Sequence, residues 1–179
     1  MDPKQNDLAR FVVEGNPGQS KGQIIGPGLT ADVTLGRAGI IGADNKREGD
    51  GATPSGCWRM LAGFYRPDRE KRPISALPLT PLTPDLGWCD EPDHPSYNSL
   101  IYLPFSPSHE VLWRDDSRYD LIVVLDHNTN PVEPHKGSAI FLHIMADDGG
   151  PTVGCVGFHR EDLLSLLRLV NAGEPLLIG

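Results

Sequence analysis

No apolar stretch in this 179-residue chain approaches the ~20 residues needed to span a bilayer, so no transmembrane helix is expected. The first residues, Met1-Asp2-Pro3-Lys4-Gln5-Asn6-Asp7, lack the apolar centre of a secretory signal. A cytosolic chain, one exported by an unrecognised route and one trimmed of its leader all stay open. Positive charge is scarce as well: 16 Lys and Arg against 24 Asp and Glu give a net charge of −8. That balance argues against nucleic acid or an anionic membrane surface as the main partner. There is no internal repeat and no low-complexity tract. Cysteine is limited to an odd count, 3. In an oxidising compartment Cys57 and Cys89 could pair and leave Cys155; in a reducing one all three would be thiols.

Helical periodicity is nearly missing too. With Gly 20 and Pro 17, the chain favours turns and short strands over a bundle, and its length suits one domain with a substantial core. Residues 1 to 8 read as a flexible polar lead-in and 9 to 179 as the domain. Phe11-Val12-Val13, Gln23-Ile24-Ile25 and Ala31 to Leu35 alternate with turn residues, the spacing of antiparallel strands. Cys57 to Phe64, Leu121 to Leu125, Ala139 to Met145 and Glu174 to Ile178 are further strand candidates, the apolar runs at 121 and 139 suiting burial on both faces. A proline-rich insertion over about 65 to 100 is expected to cover one face of the sheet, as long loops in compact domains often do at functional sites. One helix is predicted, from Glu161 to Val170, ended by Asn171 and Gly173. The fold class is therefore mainly β with few helices, a single-domain mixed sheet with one C-terminal helix.

Two residues carry the chemistry. Cys155 follows the turn-rich Gly149-Gly150-Pro151-Thr152-Val153-Gly154, and His143 stands on the strand before it. A period of two puts Phe141, His143 and Met145 on one face and Ile140, Leu142 and Ile144 on the other, so the imidazole sits among apolar neighbours that favour its neutral, basic form. Singly, His143 reads as a core histidine and Cys155 as a small buried hydrophobe. A structural cysteine, however, needs no glycine-rich approach. A glycine before the cysteine lets a substrate come close, and turn N–H groups can stabilise an oxyanion.

These residues resemble the L,D-transpeptidase catalytic domain family (YkuD-like), whose signature is a strand histidine, a variable loop and Ser/Thr-His-Gly-Cys. Thr152-Val153-Gly154-Cys155 matches three of those four positions. Gly49-Asp50-Gly51-Ala52-Thr53-Pro54-Ser55-Gly56 is similar to the family's Thr-Pro-x-Gly segment, and Gly87-Trp88-Cys89-Asp90 with Tyr97-Asn98 to a block of a bacterial branch. Two departures stand out: Val153 replaces the second histidine, and Gly157 takes a place where many members carry arginine.

The resemblance implies a sandwich or barrel-like L,D-transpeptidase fold and acyl transfer on peptidoglycan stem peptides. Cys155 would attack the carbonyl between diaminopimelate and D-alanine of a tetrapeptide, releasing D-alanine and leaving a thioester. His143 would take the thiol proton, held in its tautomer by the Ile144 carbonyl, and the N–H groups of Gly154 and Cys155 would face the oxyanion. Thr152, Trp88, Tyr97 and Asn98 are candidate substrate-binding residues, the last three otherwise serving as loop anchors. No metal or cofactor is needed; Asp90, Glu91, Asp93 and His94 read as a solvated loop. The acceptor could be diaminopimelate or an L-alanine amine, giving three-to-three or one-to-three crosslinks. Water as acceptor would make a carboxypeptidase or amidase, and loss of turnover a wall-binding domain. The location implied is periplasmic or facing the cell wall.

Overall fold

The computed structural model describes residues 9–179; the predicted lead-in over 1 to 8 lies outside them. Three antiparallel strands come first, β1 (Phe11–Gly15), β2 (Lys21–Gly26) and β3 (Leu29–Thr34). A short β4 (Ile40–Gly42) and a 3-10 turn (Ala43–Asn45) lead into the long β5 (Thr53–Tyr65). After β6 (Leu79–Pro81), the segment holds β7 (Leu86–Cys89), β8 (Leu100–Tyr102) and β9 (His109–Val111). The chain then returns through β10 (Leu121–Leu125), β11 (Phe141–Ile144), β12 (Val156–Phe158), helix α1 (Arg160–Leu169) and β13 (Pro175–Ile178).

The main sheet closes on itself. Its order runs β10-β11-β12-β3-β2-β1-β13-β5, and β5 pairs antiparallel with β10 to complete a barrel that leaves none of these strands as a free edge. The pairing is mixed: around the barrel β1 with β13 and β11 with β12 are parallel and the others antiparallel, while β4 and β6 each add a parallel pairing to β5. A barrel-like, mainly β domain with one helix was expected, and this is one.

Alternation along β10 and β11 builds two cores at once. Leu121, Val123, Leu125, Leu142 and Ile144 point into the barrel core, where Leu163, Leu166 and Leu167 of α1 join them. The alternate residues Ile122, Val124 and Phe141 enter a second cluster with Trp88, Leu112 and Cys155. Each buried aliphatic or aromatic side chain contributes about 1.5–3 kcal/mol, so both faces of these two strands are fixed. The helix begins one residue earlier than the apolar pattern suggested, at Arg160. Its guanidinium is paired with Glu70 and, at 2.6 Å, with the buried Asp120, which anchors the first turn.

The proline-rich segment is not structureless: β7 pairs with β8 and β9 as a separate three-stranded sheet. Its far end is clamped by arginines from its beginning. Arg66 stacks over Trp113, 3.8 Å from the ring centre, and donates to the Arg114 carbonyl; Arg69 donates to the carbonyls of Asp115 and Asp116. That clamp fixes the turn carrying Arg114 and Arg118. Cys57 lies on β5 and Cys89 on β7, and no disulfide joins them.

Candidate active site

Cys155 immediately precedes β12, and β12 runs parallel to β11 with Leu142 opposite Val156 and His143 opposite Gly157. This register brings Cys155 and His143 to one cavity of about 220 Å³. Gly150 to Gly154 line it together with Glu110, Arg114, Arg118 and Tyr119. Cys155 is 9% exposed and His143 5%.

The histidine has a fixed tautomer. Its Nδ1–H donates to the Ile144 carbonyl at 2.8 Å, which leaves the Nε2 lone pair as the proton acceptor. The Tyr119 ring packs edge-on against the imidazole, centroids 5.4 Å apart. Burial, joined by the charges of Arg118 and Arg114, outweighs the Ile144 bond and brings the imidazole pKa down to about 4. It is therefore a neutral base at pH 7. The thiol is also neutral at rest, because burial pushes its pKa up to about 12, with Glu110 acting in the same direction. Its sulfur donates to the Ala139 carbonyl at 3.1 Å and accepts the Phe141 N–H at 3.4 Å.

One consequence is testable through folding alone. The unfolded chain takes up the His143 proton near the ordinary value of 6.5 while the folded chain resists until about pH 4. Stability is thus present above pH 6.5 and lost as pH falls towards 4, by roughly 3 kcal/mol. Urea midpoints measured from pH 7 to 4 for wild type and His143→Asn will diverge, the variant lacking that component of the loss; parallel curves would refute the assignment.

The loop before the cysteine is folded by its own threonine. Thr152 Oγ1 accepts the Gly154 N–H at 3.1 Å and donates to the Cys155 carbonyl at 2.7 Å. Thr53 Oγ1 approaches the same carbonyl at 3.4 Å. Thr152 thus lines the cavity with its hydroxyl already spent on the loop, and the Gly154 N–H points at that hydroxyl. Gly154 has φ +142°, and an added Cβ would lie 2.9 Å from the Ala52 carbonyl oxygen. Gly154→Ala is expected to cost about 1–3 kcal/mol in thermal or urea unfolding and to slow any reaction at Cys155.

Trp88, Tyr97 and Asn98 are not on the cavity wall where a substrate-binding role would put them. All three are buried behind it. Asn98 Oδ1 accepts from the Trp88 indole and from the Ala139 N–H, each at 3.0 Å. Its Nδ2 donates to the carbonyls of His127 and Asn128. Tyr97 and Ser138 both donate to Glu48 Oε2. Asn98, itself bonded by Trp88, supports the Ala139 backbone that holds the thiol. Val153 is 65% exposed on the rim, so the place of the missing second histidine faces solvent. Gly157 has no room for a side chain: a Cβ there would meet Thr34 Oγ1 and Met145.

Sequence reasoning missed Glu110, Arg114, Arg118 and Tyr119. Arg114 and Arg118 share Asp116, whose carboxyl the bonds from Arg114, then Arg118, hold well below the usual carboxylate range. Burial and the nearby Asp90 raise the Glu110 pKa. Among the described residues no group of three or more His, Cys, Asp or Glu side chains is placed to hold a metal ion. No described helix is long and apolar enough to cross a membrane.

The fold and this cavity define a β-barrel domain with a buried cysteine and a tautomer-fixed histidine at one site. The chain belongs to the L,D-transpeptidase catalytic domain family (YkuD), whose model matches residues 10–178. No curated protein matches it. Among solved structures it is similar to Bdellovibrio bacteriovorus Bd1075, with 16% identity over 97% of this chain and 49% of that one, TM-score 0.45. It is also similar to Mycobacterium tuberculosis L,D-transpeptidase 1, with 10% identity over 94% of this chain and 58% of that one, TM-score 0.42. The chain thus spans about half the length of these two proteins.

Proposed function

We propose that this domain is a peptidoglycan L,D-transpeptidase working through a Cys155 thioester. The observation that carries the reading is the meeting of Cys155 and the Nε2-basic His143 at one cavity in a chain of this family. On substrate binding the thiol leaves the Ala139 carbonyl and gives its proton to His143 Nε2 as sulfur attacks the carbonyl between diaminopimelate and D-alanine. His143 returns the proton to the departing amine, so D-alanine leaves and a thioester remains. An acceptor amine then attacks, loses a proton through His143 and restores the thiol. Coupling proton transfer to attack suits a pair that is neutral at rest.

With the Gly154 N–H turned to Thr152, the Cys155 N–H is the loop's oxyanion donor in this scheme. Arg114 and Arg118 supply the positive charge that Gly157 cannot carry, and a stem carboxylate is their partner; Asp90 and Glu110 face its amines. Peptidoglycan places the reaction on the wall side of the membrane.

Purified protein incubated with a disaccharide-tetrapeptide, with products followed by mass spectrometry, tests this. Crosslinked dimers with free D-alanine support transpeptidation, and their fragmentation distinguishes three-to-three from one-to-three bonds. Monomers that have lost D-alanine indicate water as the acceptor. Unchanged substrate refutes both.

A further inference from the structure

Beneath the nucleophile loop lies a charge that the scheme above does not use. Lys46 is 2% exposed, and its Nζ bonds Asp50 Oδ1 at 2.5 Å and the Arg47 carbonyl at 3.1 Å. An ammonium is seldom buried so completely without a task or a partner that requires it. Its position is specific: a Cβ built on Gly154 would stand 3.6 Å from Lys46 Nζ. Asp50 extends the link, because Oδ1 also accepts the Ala52 N–H at 2.8 Å, and the Ala52 carbonyl packs against Gly154. The segment Gly49 to Thr53, conspicuous in the sequence, is thus the floor of the loop that presents Cys155.

We propose that Lys46 is a positioning residue for the nucleophile: held by Asp50, it faces the Cys155 sulfur with positive charge as the thiolate forms, and with Asp50 it fixes Gly154. This rests on the reading of Cys155 as the nucleophile. The other charges around the sulfur do not substitute for it. Glu110 on β9 opposes thiolate formation, whereas Lys46 favours it. Asp90 and Glu48 add negative charge to the cavity. Arg114 and Arg118 are shared between Asp116 and, in the scheme above, a stem carboxylate, and both disfavour charge on the neighbouring His143. Tyr119 is kept protonated, chiefly by burial. Asp50 itself, which burial would raise, is brought below its ordinary value by Lys46 and by the N–H groups of Ala52 and Arg47, so the pair stays ionic.

Alkylation of the full protein by iodoacetamide, read at the Cys155 peptide by mass spectrometry at pH 8, separates charge from scaffolding, because well below the thiol pKa the rate follows the thiolate fraction. Lys46→Met is expected to slow Cys155 alkylation about tenfold, the equivalent of one pKa unit. Asp50→Asn, which leaves the ammonium without its counter-charge, is expected to speed it; a merely structural role would move both variants the same way. A Lys46→Met rate equal to wild type, or an Asp50→Asn rate that falls or stays, overturns the proposal. If Lys46→Met does not fold, the direction of the Asp50→Asn change decides alone. The rate needs no peptidoglycan, so failure of this inference is distinct from failure of the wild-type protein to release D-alanine.

Discussion

Cys155→Ala is expected to release no D-alanine from a disaccharide-tetrapeptide, with turnover falling at least about 10⁴-fold. In the proposed scheme the sulfur is the attacking atom, and His143, its Nδ1–H bound to the Ile144 carbonyl, only moves protons. The loss will not come from unfolding. Alanine forfeits one weak acceptor for the Phe141 N–H and one donor to Ala139, about 1–2 kcal/mol, and keeps the Thr152 and Thr53 contacts to the backbone carbonyl. Cys155→Ser sharpens the result, because a hydroxyl keeps a donor to Ala139 yet ionises far less readily, and it too should be inactive. Cys57→Ala, altered on a surface away from the cavity, should retain turnover. Continued D-alanine release by Cys155→Ala would overturn the thioester.

Why Cys155 and His143 were legible in the sequence while their surroundings were not follows from range. His143 and Cys155 announce themselves because their signals are local: alternation along one strand and a glycine-rich approach to the next. The same alternation placed Leu142 and Ile144 opposite Phe141 and His143, and the two hydrophobic clusters divide that way. Strands β7, β8 and β9 have three or four residues each, too few for a period to register among prolines. Arg114 and Arg118 are charged loop residues with no periodic context. They reach the cavity because Arg66 and Arg69, distant in sequence, clamp their turn. The crowding at Gly157 depends on the register of β12 against β3 and β11, which no local pattern contains. Trp88, Tyr97 and Asn98 stand in a block similar to one of a bacterial branch of the family, but a sequence does not say which side of a wall a side chain occupies.

Asn98→Leu carries the largest expected stability effect, about 3–5 kcal/mol. The amide joins four groups, two of them buried, the Trp88 indole N–H and the His127 carbonyl, and two part-buried, the Ala139 N–H and the Asn128 carbonyl. Leucine satisfies none of them, and the buried pair is left without a partner. The backbone adds a smaller cost, because Asn98 has φ +55°, a conformation asparagine tolerates better than leucine. Asn98→Gly divides the two contributions: glycine accepts the left-handed backbone but leaves the same four groups unpaired, so it should lose nearly as much as leucine. A mild effect in glycine would mean that backbone strain, not the bridge, sets the cost. Reactivity should fall with stability. Ala139 is itself left-handed at φ +51°, and its N–H is held by Asn98 while its carbonyl holds the thiol. Releasing Ala139 lets that carbonyl swing away and the sulfur lose its resting orientation. Urea unfolding together with Cys155 alkylation at a fixed pH below the unfolding range reads both effects. A variant that stays within about 1 kcal/mol of wild type and alkylates at the same rate would show that the thiol is oriented without the Trp88–Asn98–Ala139 bridge.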